Sequence, residues 1–270
     1  MRWWRAEPSN PNRRDGGPSP APGTPSSGRA EVTLPTIFHV THWKAGSQWL
    51  NKILNRCVGD RVVFAEAGEA QFLTRPILPG RVYTTCYLDR PRFESVPRPV
   101  PSYRFVVIRD LRDTLVSMYF SVKASHPDRP EIRPYRERLN ATDVDHAMLE
   151  LLEHVLWGCA VIQQTWVESG EPLIKYEDLL ERDVDILVPL LTEQCPLGVP
   201  AQQVREAVIA CRFENLTGGR PRGQEDPRSH ERKGVAGDWR NHFTGRITRA
   251  FKARFGDLLV ATGYEKDHHW

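Results

Sequence analysis

The chain has 270 residues, of which 40% are apolar and 26% charged, with a formal net charge of +3. This allows a single large α/β domain with a real core, and so small a charge excess without an extended basic helix argues against nucleic acid as a partner. No stretch is long and apolar enough to cross a bilayer, and the five scattered cysteines, Cys57, Cys86, Cys159, Cys195 and Cys211, form no metal-like pair and read as small buried hydrophobes of a reducing compartment.

From the start of the chain, Pro8 to Arg29 is dense in Pro, Gly, Ser and Arg, so residues 1–33 are expected to be a disordered tail ahead of a folded domain over 34–270. Met1-Arg2-Trp3-Trp4-Arg5 lacks the apolar run of a signal peptide, which predicts a cytoplasmic protein. Ile37, Phe38 and Val40 then read as a strand, and Leu50, Ile53, Leu54 and Cys57 as the apolar face of a helix. Between them lies His42-Trp43-Lys44-Ala45-Gly46-Ser47-Gln48-Trp49. Gly46 permits a tight turn, Ser47 opens the helix, and Lys44 adds a charge beside unpaired first-turn N–H groups, a combination that suits a phosphate-like anion. In a Walker loop the lysine follows the second glycine and precedes a magnesium-binding Ser or Thr; here Lys44 precedes Gly46, so a metal–nucleoside triphosphate is not expected.

Arg61–Phe64 and Arg81–Tyr87 read as further strands, and Phe105-Val106-Val107-Ile108 as one buried on both faces. Arg109 closes that strand and Ser117 lies two turns into the helix that follows, placing a planar fork of donors and a neutral hydroxyl where an open α/β sheet binds ligands. Taken alone, Arg109, Asp110, Arg112 and Asp113 would equally make a solvated, self-paired helix start. Val122–Asn140, with Pro127, Pro130 and Pro134, reads as a long loop containing His126, Asp143–Val167 as one long amphipathic helix, and Leu173–Tyr176 as a strand. Helices over Val184–Leu191 and Gln202–Cys211 lead to Arg232-Lys233-Gly234-Val235-Ala236-Gly237-Asp238-Trp239, a basic glycine turn anchored by an aromatic residue. The alternation implies a P-loop-like, three-layer α/β fold with a mainly parallel sheet and helices on both faces.

Three of these segments, taken in order, resemble the cytosolic-type sulfotransferases, as a bacterial-like member. The resemblance rests on Lys44-Ala45-Gly46-Ser47-Gln48-Trp49 as the 5'-phosphosulfate loop, Arg109 and Ser117 as the pair holding the 3'-phosphate, and Arg232-Lys233-Gly234 as the signature closing over it. It implies the cofactor 3'-phosphoadenosine 5'-phosphosulfate (PAPS), with 3',5'-bisphosphoadenosine (PAP) as product and no metal. By position it also implies Tyr176 reaching the adenine and Trp49 and Phe213 sandwiching it. The expected reaction is transfer of a sulfuryl group to a hydroxyl or amine of a small-molecule acceptor, with neither nucleic acid nor membrane as partner. The family's dimer segment is not carried over, because Thr244 is followed by Gly245, and a homodimer stays open.

Such a transfer needs anion binders, a cation on the departing phosphate oxygen and a base for the acceptor proton. Lys44 takes the second role. For the third, many members of the resembling family carry a histidine where this chain has Cys86, and an unperturbed thiol pKa near ~8.5 makes a poor neutral-pH base. His42, two residues before Lys44, is the leading candidate, Cys86 the runner-up. The other readings are a module that binds PAP or PAPS without turnover, and a nucleotide kinase, which would need the missing Walker order.

Overall fold

All six residues of strand β1, Thr36–Thr41, are buried, as expected of a central parallel strand rich in β-branched and aromatic side chains. The computed structural model describes residues 34–66, 70–127, 129–130 and 132–270, so the tail expected over 1–33 lies outside the described residues. Beside β1 lie β2 (Val62–Val63), β3 (Val82–Cys86), β4 (Ser102–Ile108) and β5 (Leu173–Lys175), in the order β2-β3-β1-β4-β5. Every pairing is parallel. The α/β class is therefore as expected, and the sheet is wholly rather than mainly parallel.

Side-chain alternation supplies two faces. Ile37, Phe105 and Val107 join Leu50, Ile53 and Leu54 of α1 (Ser47–Val58) and Leu187 of α8 (Tyr176–Pro189) in one core. Phe38, Val40, Val106 and Ile108 point to the other face, against Phe93 of α3 (Arg90–Glu94) and Trp166 of α7 (Leu156–Val167). A third cluster joins α4 (Leu111–Phe120), α6 (Val144–His154) and α11 (Gly245–Ala261) through Leu115, Leu151 and Phe251. At roughly 2 kcal/mol for each fully buried large aliphatic side chain, these layers outweigh any single polar contact.

From β1 the chain moves through α1 to β2 and β3 on one side, then crosses to β4 and β5 on the other. The loops after β1 and β4 therefore diverge at the carboxyl end of the sheet, at the switch point where such sheets bind ligands.

Four expected elements are corrected. The strand over Arg61–Phe64 shrinks to Val62–Val63, because a 3₁₀ turn takes Gly59–Arg61. The helix over Asp143–Val167 is two: Val155 (φ −118°, ψ −42°) leaves the helical line, so Leu151 serves the third cluster while Ile162 and Trp166 reach the sheet. Val122–Asn140 holds the π-helical turn Ser121–Ser125 and α5 (Arg133–Asn140), with Pro134 in the first turn of α5, where its missing N–H costs nothing. The helix over Val184–Leu191 starts at Tyr176, which leaves β5 one residue shorter, and kinks at Arg182 (φ −131°, ψ 38°). The remaining short helices are α2 (Ala70–Thr74), α9 (Ala201–Ala210) and α10 (Phe213–Leu216). All five cysteines are buried and unpaired. No helix among the described residues is long and apolar enough to cross a membrane.

Candidate active site

The β1–α1 loop leaves its helix start uncapped. Gly46 (φ 79°) precedes α1 in a left-handed conformation, with no side chain capping the helix and no acidic residue in its first turn, so those N–H groups face outward unneutralised. A Cβ on Gly46 would stand 2.7 Å from Tyr176 Cδ2, so glycine is required there by contact as well as by backbone. Lys44 adopts a positive φ (69°) despite its side chain, a strain that Arg109 helps to hold by donating from Nη1 to the Lys44 carbonyl at 3.0 Å. Its ammonium lies 5.8 Å from the Trp43 ring centroid and forms no ion pair among the described residues. Burial, with Arg109 and Arg232 nearby, pushes its pKa down to about 8. Ala45 is fully buried, Gln48 is exposed, and Ser47 Oγ shares a 2.8 Å hydrogen bond with the Tyr87 hydroxyl.

Arg109 follows β4 and is buried beside this loop. Its guanidinium carbon lies 4.7 Å from the Tyr176 ring centroid, and its Nε has no hydrogen-bond partner among the described residues. The Tyr176 ring meets Trp49 edge-on at 6.1 Å, and Trp49 Nε1 is likewise buried and unpartnered. Lys44, Gly46, Trp49, Arg109 and Tyr176 thus converge on one spot. Ser117, partly buried on α4, has no side-chain hydrogen bond among the described residues. Phe120, on the same helix face three residues on, carries the Arg232 guanidinium 4.4 Å from its ring centroid, which sets Ser117 toward the third segment.

That third segment is closed on itself. Asp238, 3% exposed, accepts from Arg232 Nη2 at 2.5 Å, Lys233 Nζ at 2.6 Å and Asn241 Nδ2 at 2.9 Å. Although burial opposes it, this set of donors, with His242 at 3.3 Å, holds the Asp238 carboxyl far below the usual carboxylate range. A Cβ on Gly234 (φ 67°) would stand 2.6 Å from Phe213 Cδ2, so Gly234 lies directly on that ring. The segment reaches α1 through a 2.6 Å ion pair between Glu231 and Lys52.

Neither expected base is placed to act. The fully buried His42 ring has Nδ1 2.9 Å from the Trp43 carbonyl, while Nε2 accepts from the Arg109 N–H at 3.2 Å and from Gln163 Nε2 at 2.7 Å. With both nitrogens engaged and burial pushing its pKa down to about 4, His42 positions the two loops and takes no acceptor proton. Cys86 is buried with Phe38 and Leu88, its Sγ 3.7 Å from the Tyr83 carbonyl, and burial pushes its thiol far up.

The sulfotransferase domain family matches residues 104–263. The chain belongs to that family. In this sulfotransferase-family chain the matched stretch contains Arg109, Ser117, Tyr176, Phe213 and Arg232–Gly234, while the Lys44 loop lies ahead of it. Among solved structures, a mouse sulfotransferase complexed with PAP is 22% identical, with a TM-score of 0.60 over 86% of this chain and 89% of its own. A retinol dehydratase in a complex with retinol and PAP is 14% identical, with a TM-score of 0.53 over 84% and 82%. These likenesses carry the fold. No curated protein sequence matches the chain.

Sequence reasoning missed several supports. Asp113 does not pair at a solvated helix start; its Oδ2 and Oδ1 accept from the Gly237 and Trp239 N–H groups at 2.6 and 2.9 Å, tying α4 to the third segment. Arg112, 2% exposed, pairs with Asp110 at 2.7 Å and lies between the Trp239 and Trp270 rings at 4.1 and 4.4 Å. Arg220 donates to the Arg232 carbonyl at 2.6 Å. Apart from Asp110, two residues before Arg112, their partners are 12 to 158 residues away and spacing gave no signal for them; only Asp113 and Arg112, four and three places after the singled-out Arg109, lay within the motif.

Proposed function

We propose that the protein is a PAPS-dependent sulfotransferase, transferring the sulfuryl group to a hydroxyl or amine of a small-molecule acceptor without a metal. One observation carries this reading: among the described residues Lys44 makes no ion pair and Arg109 has an orphaned Nε, and the two meet at an uncapped helix start. So many buried, uncompensated donors fit an anion with several phosphate oxygens. Lys44 to Trp49 would hold the 5'-phosphosulfate, and Lys44 would follow the charge that develops on the departing oxygen. Arg109, Ser117 and Arg232–Gly234 would hold the 3'-phosphate, and Tyr176, Trp49 and Phe213 the adenine. The two unpartnered buried atoms, Arg109 Nε and Trp49 Nε1, fit such a ligand. The family match and the absence of the Walker order favour this reading over a kinase. The protein would work in the cytoplasm, as a monomer or a homodimer.

Calorimetric titration with PAP in the absence of magnesium tests it. Wild type is expected to bind saturably, and Arg109→Ala to bind on the order of tenfold to a hundredfold more weakly, the worth of a charge-assisted hydrogen bond. A wild-type protein that binds no PAP would overturn the assignment of all three segments.

A further inference from the structure

Sulfuryl transfer to a hydroxyl or amine leaves a proton to be taken up, and neither His42 nor Cys86 can receive it. Resting on the transfer reading, the geometry points to His126 as the general base. His126 follows the π-helical turn Ser121–Ser125, where its N–H donates to the Ser121 carbonyl at 2.7 Å, and Arg136 donates to the His126 carbonyl. Its Nδ1 lies 3.1 Å from the Pro127 carbonyl. A carbonyl only accepts, so this contact requires Nδ1–H and leaves the lone pair on Nε2, which has no hydrogen-bond partner among the described residues. The ring stands edge-on to Trp43, 5.9 Å between centroids at 79°, while Lys44 Nζ lies 5.8 Å from the centroid of the same indole. A lysine without an ion pair among the described residues and a tautomer-fixed histidine with an open nitrogen therefore share one aromatic wall.

The charges facing His126 favour a neutral ring. Burial first, then Lys44 from the β1–α1 loop, Arg129 and Arg136 from the segment that includes α5, lower its pKa, and the His230 ring faces it from the third segment. No other histidine near the loop combines these features. His39 is fully buried without a partner, His42 is committed at both nitrogens, and the exposed His230 has no hydrogen bond to fix its tautomer among the described residues.

In the step, the acceptor oxygen or nitrogen forms its bond to sulfur as the bond from sulfur to the bridging oxygen breaks. The electron pair leaves with the phosphate of PAP, and the acceptor proton passes to His126 Nε2 and then to water.

Nitrogen-15 histidine spectra, assigned by comparison with His126→Asn, test this without knowledge of the acceptor. The His126 ring is expected to be the Nδ1–H tautomer at pH 7, and its pKa to rise when PAP brings its negative charge beside Lys44. Turnover is read as PAP release from PAPS with 2-naphthol, a phenol un-ionised at pH 7, as probe, where His126→Asn is expected to lose roughly a hundredfold or more and to keep its PAP dissociation constant within about twofold. A His126 pKa unmoved by saturating PAP, an Nε2–H tautomer, or undiminished PAP release by His126→Asn would each overturn the inference while leaving PAP binding, and with it the proposed function, intact. Failure of wild type to bind PAP in the same titration would instead remove the function itself.

Discussion

Two basic glycine turns flank the carboxyl end of the sheet, and they hold their charge differently. In the β1–α1 loop the Lys44 ammonium makes no ion pair among the described residues, and burial with Arg109 and Arg232 outweighs the more distant Glu231 and pushes it down to about 8. In the third segment Arg232 and Lys233 are already paired, both to the buried Asp238. On the proposed reading the first loop is open to an anion, whereas the second is latched, and an incoming phosphate would share its cations with Asp238. A cation left unpaired in a partly buried place costs stability, and a binding site is where that cost is recovered when the ligand arrives.

The largest effect is expected from the open loop. If Lys44 meets the developing charge as proposed, Lys44→Ala should slow PAP release from PAPS by roughly 100- to 1,000-fold. The sign of its pH dependence follows from the lowered pKa: the ammonium is present below about 8 and lost above it, so PAP affinity should fall as pH rises through that value. Lys44→Arg keeps the charge and should carry the fall to higher pH. Calorimetry from pH 6.5 to 9.5 reads both, and a wild-type affinity flat across that range would place Lys44 outside the anion site.

The latched segment should respond in stability first. Asp238→Asn leaves Lys233 without its carboxylate and Arg232 with Glu225 alone, at a cost of about 3 kcal/mol in urea unfolding at pH 7. Because phosphate can compensate the freed cations, saturating PAP should raise the melting temperature of Asp238→Asn more than that of wild type. Equal shifts in the two proteins would mean that Arg232 and Lys233 do not meet the ligand.

The same contrast explains what could be read in the sequence. The open loop was legible because its structure is local: strand, turn, glycine and helix start follow one another within fourteen residues, from Thr36 to Trp49. The parallel sheet was legible for the same reason, from apolar runs such as Phe105–Ile108. The latch was not. Asp238 stood in the quoted signature as part of a turn, and that it would neutralise Arg232 and Lys233 depends on a three-dimensional turn geometry that spacing leaves open. His42 misled because proximity to Lys44 in sequence resembles access to the site, whereas the Arg109 N–H and Gln163, 67 and 121 residues away, occupy its ring. His126 was hidden by prolines that read as loop, although Pro134 sits harmlessly in the first turn of α5.

The smallest effects are expected beneath the open loop, where two buried histidines of opposite standing lie three residues apart. His42 is bonded to Trp43, Arg109 and Gln163, and His39 has no partner at either nitrogen among the described residues, stacking on Phe105 at 5.0 Å and 12°. At pH 7, His42→Leu should therefore cost roughly 2 kcal/mol through the groups it leaves unpaired, while His39→Leu should be neutral or stabilising by about 1 kcal/mol. Burial lowers both rings, His42 to about 4 and His39 to about 3, so the unfolded chain takes up protons below its ordinary 6.5 that the folded chain refuses. Stability should accordingly fall with pH from 6.5 toward those values. His39→Leu removes its share of that slope, so its advantage over wild type should widen from pH 7 to pH 5 in urea titrations. An advantage that stays constant would mean that His39 gains a proton in the fold, and that the footing of the loop is wetter than its packing implies.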